Sequence, residues 1–153
     1  MLKTKIAVFV SGGGTNFEAL INAQENGKIP HGEIVLMVSS SKTAYALKRA
    51  ENHGIKSVVC SKKELGSQES FEEEILKNLE ENDIQLIVLA GFMSILSKEF
   101  TKKYENRIIN IHPSLIPSFC GEGFYGLHVH EAALKKGVKV TGATVHIVNE
   151  IPD

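Results

Sequence analysis

The sequence predicts an α/β fold: a mostly parallel, twisted β-sheet with helices on both faces. Short apolar runs of strand length alternate along the chain with longer stretches whose apolar residues recur at helical spacing. The short runs are almost continuously apolar, as strands covered on both faces are. Glycines fall where such strands turn into helices. In a sheet of this kind crossovers are right-handed and ligands gather beyond the carboxyl ends of the strands.

The first strand is the apolar run 6–10, which ends in Ser11-Gly12-Gly13-Gly14. Asn16 is a candidate cap for a helix whose Phe17, Leu20 and Ile21 share one face and which stops at Gly27. Residues 34–38 form the second strand, and Ala44, Leu47 and Ala50 mark a short helix closed by Gly54. Residues 57–60 read as a brief third strand. Ser70-Phe71-Glu72-Glu73 has the form of a capping box, opening a helix with Phe71, Ile75, Leu76 and Leu79 on its inner stripe. The acidic run 72–74 then falls in the first turn, where the helix dipole favours it, and suggests no ligand site. Residues 86–90 and 108–111 are the fourth and fifth strands. Residues 129–136 read as helix, and 140–148 alternate as a last strand with Val140, Gly142, Thr144, His146 and Val148 on one side.

The chain has 153 residues, enough for one domain around a single core. Its formal net charge of −1 argues against a general nucleic-acid or acidic-membrane binder. Lys62-Lys63 and Lys102-Lys103 read as solvated surface. Cys60 and Cys120 form no CxxC pair and suggest no disulfide scaffold, so both are expected to be ordinary thiols. The apolar run after Met1 breaks at Ser11-Gly12, short of a signal peptide or membrane span, so the cytoplasm is the expected location.

Two segments carry chemistry, and both lie at predicted strand ends. Ser11-Gly12-Gly13-Gly14-Thr15-Asn16 joins a strand to a helix start. Its glycines let the backbone approach a ligand, the helix amides attract an anion, and Thr15 and Asn16 add side-chain donors. No Gly-Lys-Ser/Thr follows, and Phe17 occupies the third glycine's place of a dinucleotide fingerprint. A single phosphate suits the loop better than a dinucleotide; a plain tight turn with a cap is the competing reading.

The second segment is Asn110-Ile111-His112-Pro113-Ser114-Leu115-Ile116-Pro117. Period-2 geometry sends Asn110 and His112 to one face, and Pro113 forces the chain out of the sheet just after them. An amide donor beside an imidazole is what acyl transfer to an amine requires: one stabilises an oxyanion, the other manages a proton near neutral pH. A structural histidine before a proline turn is the alternative. From the residues alone, the sequence reads as an anion site at one strand end and acyl or proton chemistry at another.

Asn110-x-His112-Pro-Ser-Leu-x-Pro resembles the signature of the folate-dependent formyltransferases, as do Ala90-Gly91-Phe92-Met93-x-Ile95-Leu96 and Thr144-Val145-His146. Gly14-Thr15-Asn16 is similar to the loop of the glycinamide ribonucleotide branch. The resemblance covers essentially the whole chain and implies the Rossmann-like formyltransferase fold, with residues 1–153 as one domain. It implies that Asn110, His112 and Asp153 are catalytic, Asp153 tuning the histidine and organising a proton-relaying water. Gly14, Thr15 and Asn16 would hold the ribonucleotide phosphate. Gln68, Met93, Ser94, Ile95, Leu96 and Asn110 would contact the folate. The co-substrate implied is 10-formyltetrahydrofolate, with no metal. The partners implied are small molecules, not nucleic acid or membrane, and a homodimer is compatible with them.

Three departures stand out. Gln68 replaces the basic residue that relatives often place near the folate's acidic tail. Residues 118–128, with three glycines, exceed the expected length and suggest a lid over the site. The chain reaches Asp153 without the family's following glycine-rich turn, strand and last helix, so a missing C-terminal part is expected. His128 and His130, imagined with His112 and His146 as metal ligands, lack the spacing of a zinc site. A methionyl-tRNA formyltransferase would add a tRNA-binding domain and a basic surface. A formyltetrahydrofolate hydrolase would add an N-terminal regulatory domain. A non-catalytic nucleotide-phosphate-binding module would use the glycine loop alone.

Overall fold

A computed structural model describes residues 2–151 of the chain. Its elements run β1 (Thr4–Val10), α1 (Thr15–Glu25), β2 (Gly32–Ser39), α2 (Ala46–Asn52), β3 (Lys56–Val59), α3 (Lys62–Leu65), α4 (Gln68–Glu81), β4 (Leu86–Leu89), α5 (Lys98–Lys103), β5 (Ile108–His112), α6 (Leu127–Lys136) and β6 (Thr144–Ile147). The strands lie in the order β3-β2-β1-β4-β5-β6. All neighbours pair in parallel except β5 and β6, which are antiparallel. The mostly parallel α/β fold expected from the sequence is therefore the fold observed.

The apolar character of β1 follows from burial on both of its faces. Ala7 and Phe9 enter a cluster with Phe71, Ile75, Leu79, Ile87 and Phe100, contributed by α4, β4 and α5. Ile6, Val8 and Val10 enter a second cluster with Phe17, Ile21, Met37, Ala46 and Ala50, contributed by α1, β2 and α2. Successive residues of one strand thus serve two cores, which is the physical reason no polar alternation survives in the sequence.

Several sequence expectations shift. Asn16 does not cap α1: the cap position is Gly14, in a left-handed conformation without a side-chain bond, and Asn16 is the second helical residue. Ser70 does not cap α4 either; Ser67 does, its hydroxyl accepting the Ser70 amide at 3.1 Å. The helix starts three residues earlier, so the acidic run lies beyond the first turn and Glu72 points inward, 8% exposed. The third strand is Lys56–Val59, and Cys60 lies just past it, fully buried. The last strand is shorter than expected, Thr144–Ile147, with Thr144, His146 and Val148 partly buried on one side as the alternation implied. Residues 140–143 do not pair; Gly142 lies against Leu115, where a Cβ would come within 2.9 Å. The helices α3 and α5 were not anticipated, since four and six residues are too few to display a period.

Candidate active site

The strand order reverses beside β1: the chain builds outward through β2 and β3, then returns to place β4 on the other side. The loops leaving β1 and β4 therefore part at a topological switch point, where open α/β sheets bind ligands. Loop 11–14 follows β1, segment 90–96 follows β4, and the carboxyl end of β5 comes next across the sheet. The first two are joined by Ser11. Its amide donates to Gly91 O at 3.0 Å. Its hydroxyl accepts the Met93 amide at 2.8 Å and lies 2.6 Å from the Ser40 hydroxyl.

In the glycine loop the left-handed turn occurs at Gly14, with φ 74°. A Cβ there would fall 2.8 Å from Ala46 Cβ, so conformation and space both require glycine. Gly12, Gly13, Thr15 and Asn16 are exposed while Gly14 is buried, so the loop offers backbone and two polar side chains to solvent over a packed base. The first amides of α1, an eleven-residue helix, have no partner within the helix and face this loop.

At the end of β5, Asn110 and His112 share a face as period 2 demands. Asn110 Nδ2 lies 3.1 Å from His146 Nε2, an amide donor meeting an imidazole acceptor. The register explains the pairing, since Asn110 is directly opposite His146 and His112 opposite Thr144. His112 is 4% exposed, with Nε2 2.8 Å from Phe119 O. That bond draws the predicted lid segment onto the imidazole. The segment is held further by Ser114 Oγ donating to Ser118 O at 2.5 Å, and Phe119 and Phe124 pack edge to face at 6.2 Å. Thr144 Oγ1 donates to Ser114 O at 2.7 Å and accepts the Ile116 amide at 3.1 Å, fixing the turn that follows Pro113.

Segment 90–96 is anchored from the core: the Phe92 ring meets Phe9 edge to face at 5.2 Å. Met93 and Ile95 are exposed, at 52% and 84%, while Ser94 and Leu96 are partly buried. Gln68 reaches this segment by donating from Nε2 to Ile95 O at 3.0 Å and to Glu72 Oε2 at 2.8 Å. Glu72 also accepts the Ser97 amide at 2.7 Å and the Ser97 hydroxyl, so α4 is tied to the start of α5. A cleft of about 450 Å³ opens there, walled by Gln68, Glu69, Glu73, Glu99 and Lys103.

The formyl transferase family profile matches residues 4–153. The chain belongs to the formyl transferase family. It is 38% identical over 149 residues to the phosphoribosylglycinamide formyltransferase of Haemophilus influenzae, covering 97% of this chain and 68% of that one. It is 47% identical over 151 residues to the trifunctional purine biosynthetic protein adenosine-3 of Gallus gallus, spanning 99% of this chain and only 14% of that protein. Among solved structures, the phosphoribosylglycinamide formyltransferase of Coxiella burnetii superposes with a TM-score of 0.88 at 40% identity, over 97% of this chain and 67% of that one.

Within this formyl transferase chain, the structure brings Asn110 and His112 together and places the 14–16 loop and segment 93–96 at neighbouring strand ends. Gln68 lies beside Ile95. Asp153 is outside the described residues. Two site groups carried no role in the sequence reading. His146 enters the sequence only in a strand-end motif, in the alternation of residues 140–148 and in a discarded metal set; the register of β6 places it opposite Asn110. The Phe119 carbonyl gave no sequence signal at all, because any residue supplies one. His128 sits at the surface beside Glu131, at 3.5 Å, and against the Tyr125 ring. Burial pushes the Cys60 thiol up to about 11, with the Glu74 charge adding to it, which makes it an inert packing residue.

Proposed function

We propose that the chain transfers the formyl group of 10-formyltetrahydrofolate to the primary amine of glycinamide ribonucleotide, a step of purine (IMP) biosynthesis, in the cytoplasm. The observation that carries this reading is the placement of an amide donor, Asn110, and a buried imidazole, His112, two residues apart on one face at the end of β5, on the same edge of the sheet as the glycine loop and separated from it by β4. The names of the relatives supply the substrate: those from Haemophilus influenzae and Coxiella burnetii are phosphoribosylglycinamide formyltransferases.

The ribonucleotide phosphate sits on Gly14, Thr15 and Asn16, held by loop amides, two side-chain donors and the start of α1. The pterin end of the folate lies along Met93, Ser94, Ile95 and Leu96, with Gln68 toward its tail. The free amine attacks the formyl carbon, and the carbonyl oxygen becomes an oxyanion facing Asn110 Nδ2. As the C–N bond to folate N10 breaks, the amine loses a proton and N10 gains one. His112 carries that proton, directly or through a water organised by Asp153. Asn110 turns from His146 toward the oxyanion, and residues 118–128 act as a lid whose Phe119 carbonyl is released from His112. No metal takes part, and residues 1–153 act as a single domain.

Consumption of 10-formyltetrahydrofolate should depend on added glycinamide ribonucleotide. Turnover in buffer alone would instead make the chain a hydrolase, and turnover only with charged initiator tRNA would move it to the tRNA branch. Calorimetric titration with each ligand separately covers the remaining alternative: a phosphate-binding module would bind the ribonucleotide and ignore the folate.

A further inference from the structure

The glycine loop does not shape itself. Two successive carbonyls in it are taken by α2: Ala46 N–H donates to Gly12 O at 3.1 Å, and Arg49 Nε donates to Gly13 O at 2.8 Å. A trans peptide holds its N–H opposite its C=O. With the carbonyls of Gly12 and Gly13 turned toward α2, the amides of Gly13 and Gly14 must point away from it. Successive amides aimed the same way form an anion-binding concavity.

Arg49 is itself held from several sides. Its Nη1 lies 3.3 Å from Glu18 Oε2, and its guanidinium sits 5.0 Å from the centre of the Tyr45 ring. Glu18 is gripped in turn by His53 Nε2 at 2.9 Å, and His53 Nδ1 by Glu25 at 3.0 Å. The arginine side chain is only 24% exposed. Its bonds go to the loop's backbone and to Glu18, in the first turn of α1. Without the guanidinium, that carboxylate would have His53 alone to offset it beside an anion site.

We propose that Arg49 is a positioning residue for the ribonucleotide phosphate: bonded to Gly13 O and Glu18, it aims the loop amides and offsets the carboxylate next to them. The proposal rests on the phosphate reading of the loop given above. It assigns to α2, which lies outside the loop, control over affinity for one of the two substrates.

The test measures binding of glycinamide ribonucleotide and of a non-transferable 10-formylfolate analogue to the whole chain, as wild type, Arg49→Met and Arg49→Lys. Arg49→Met removes both polar contacts and should weaken the ribonucleotide about tenfold or more while moving the folate analogue less than about twofold. Arg49→Lys keeps the charge and one donor, and should recover part of the loss. A purely structural ion pair between α1 and α2 would instead lower the melting temperature and weaken both ligands by the same factor, which would overturn the proposal. So would unchanged ribonucleotide affinity in Arg49→Met. If Arg49→Met does not fold, Arg49→Lys decides: a loss confined to the ribonucleotide sustains the proposal, and wild-type affinity ends it. A wild type that binds no ribonucleotide would bring down the functional reading itself, whereas wild-type binding with an indifferent Arg49→Met would bring down only this inference.

Discussion

Gly14 must satisfy two demands at once, a left-handed backbone and contact with Ala46 closer than a Cβ permits. Gly14→Ala should therefore destabilise the fold by about 2 kcal/mol or more, read from the urea midpoint, by combining backbone strain with overpacking. A midpoint unchanged from wild type would show that the loop has another conformation open to it. If the side chains beside it hold the phosphate as proposed, Thr15→Val with Asn16→Leu should weaken ribonucleotide binding by about 1.5–3 kcal/mol per lost bond, raising its KM and leaving the folate KM in place. Equal shifts in both constants would argue against a phosphate role. Asn110→Leu, which preserves approximate volume, should reduce kcat by roughly 10²–10³; wild-type kcat would leave Asn110 as a turn residue paired with His146. At this scale the sequence was readable wherever a residue type is itself rare at its place. Asn110 and His112 stood out because Pro113 fixes the strand's end. His146 and the Phe119 carbonyl did not, since their roles depend on which strand lies opposite and on where residues 118–128 fold back.

Between elements, the contact most open to test is the clasp of α1 and α2 through Glu18, His53 and Glu25. Bonds to Glu18 and then Glu25 raise the His53 pKa above its ordinary 6.5. The His53 bond, followed by Arg49, outweighs desolvation and lowers Glu18 below its ordinary 4.5. A raised histidine contributes stability fully below its unfolded value and loses it as pH climbs through the folded one. A depressed carboxylate contributes above its unfolded value and loses it as pH falls through the folded one. The clasp is thus strongest between about 4.5 and 6.5 and weakens on the alkaline side first by loss of the imidazolium. The melting temperature of wild type should exceed that of His53→Gln most between pH 4.5 and 6.5, with the gap closing as the pH climbs above that window. A gap constant with pH would mean that His53 packs without titrating. Elements themselves were legible in proportion to length: α1 and α4 show several turns of apolar spacing, whereas α3 and α5 are defined by the turns at Ser61 and Ser97 and by contacts such as Glu72 with Ser97. The displaced cap of α4 has the same origin. Ser67 and Ser70 are equally good caps by type, and the bond that the Ser70 amide donates to Ser67 Oγ separates them only once the helix is built.

At the scale of the molecule, the sheet makes one cooperative unit out of two cores. Phe9 of β1 lies in the cluster covered by α4 and α5, while Val8 and Val10 lie in the one covered by α1 and α2. Neither cluster can lose β1 without exposing the other, because adjacent residues of a strand point to opposite faces. The site inherits this coupling: Phe92, which leads segment 90–96, packs on Phe9, and Ala46 and Arg49, which seat the glycine loop, belong to a helix of the second cluster. Unfolding should be a single transition in which far-ultraviolet circular dichroism and tyrosine fluorescence coincide. Leu79→Ala in the first cluster and Ile21→Ala in the second each remove a fully buried side chain, and each should cost about 2–5 kcal/mol. Being far apart and on opposite faces, the two losses should add in the double variant. Hydrogen exchange gives the sharper reading. If the sheet is one unit, Leu79→Ala should speed exchange of the slowest amides of β1 and of α1, on the face it does not touch, by the same factor as those of α4. Protection of α1 that survives Leu79→Ala intact, or two resolved transitions, would divide the domain into independently stable halves and leave the seat of the glycine loop uncoupled from segment 90–96.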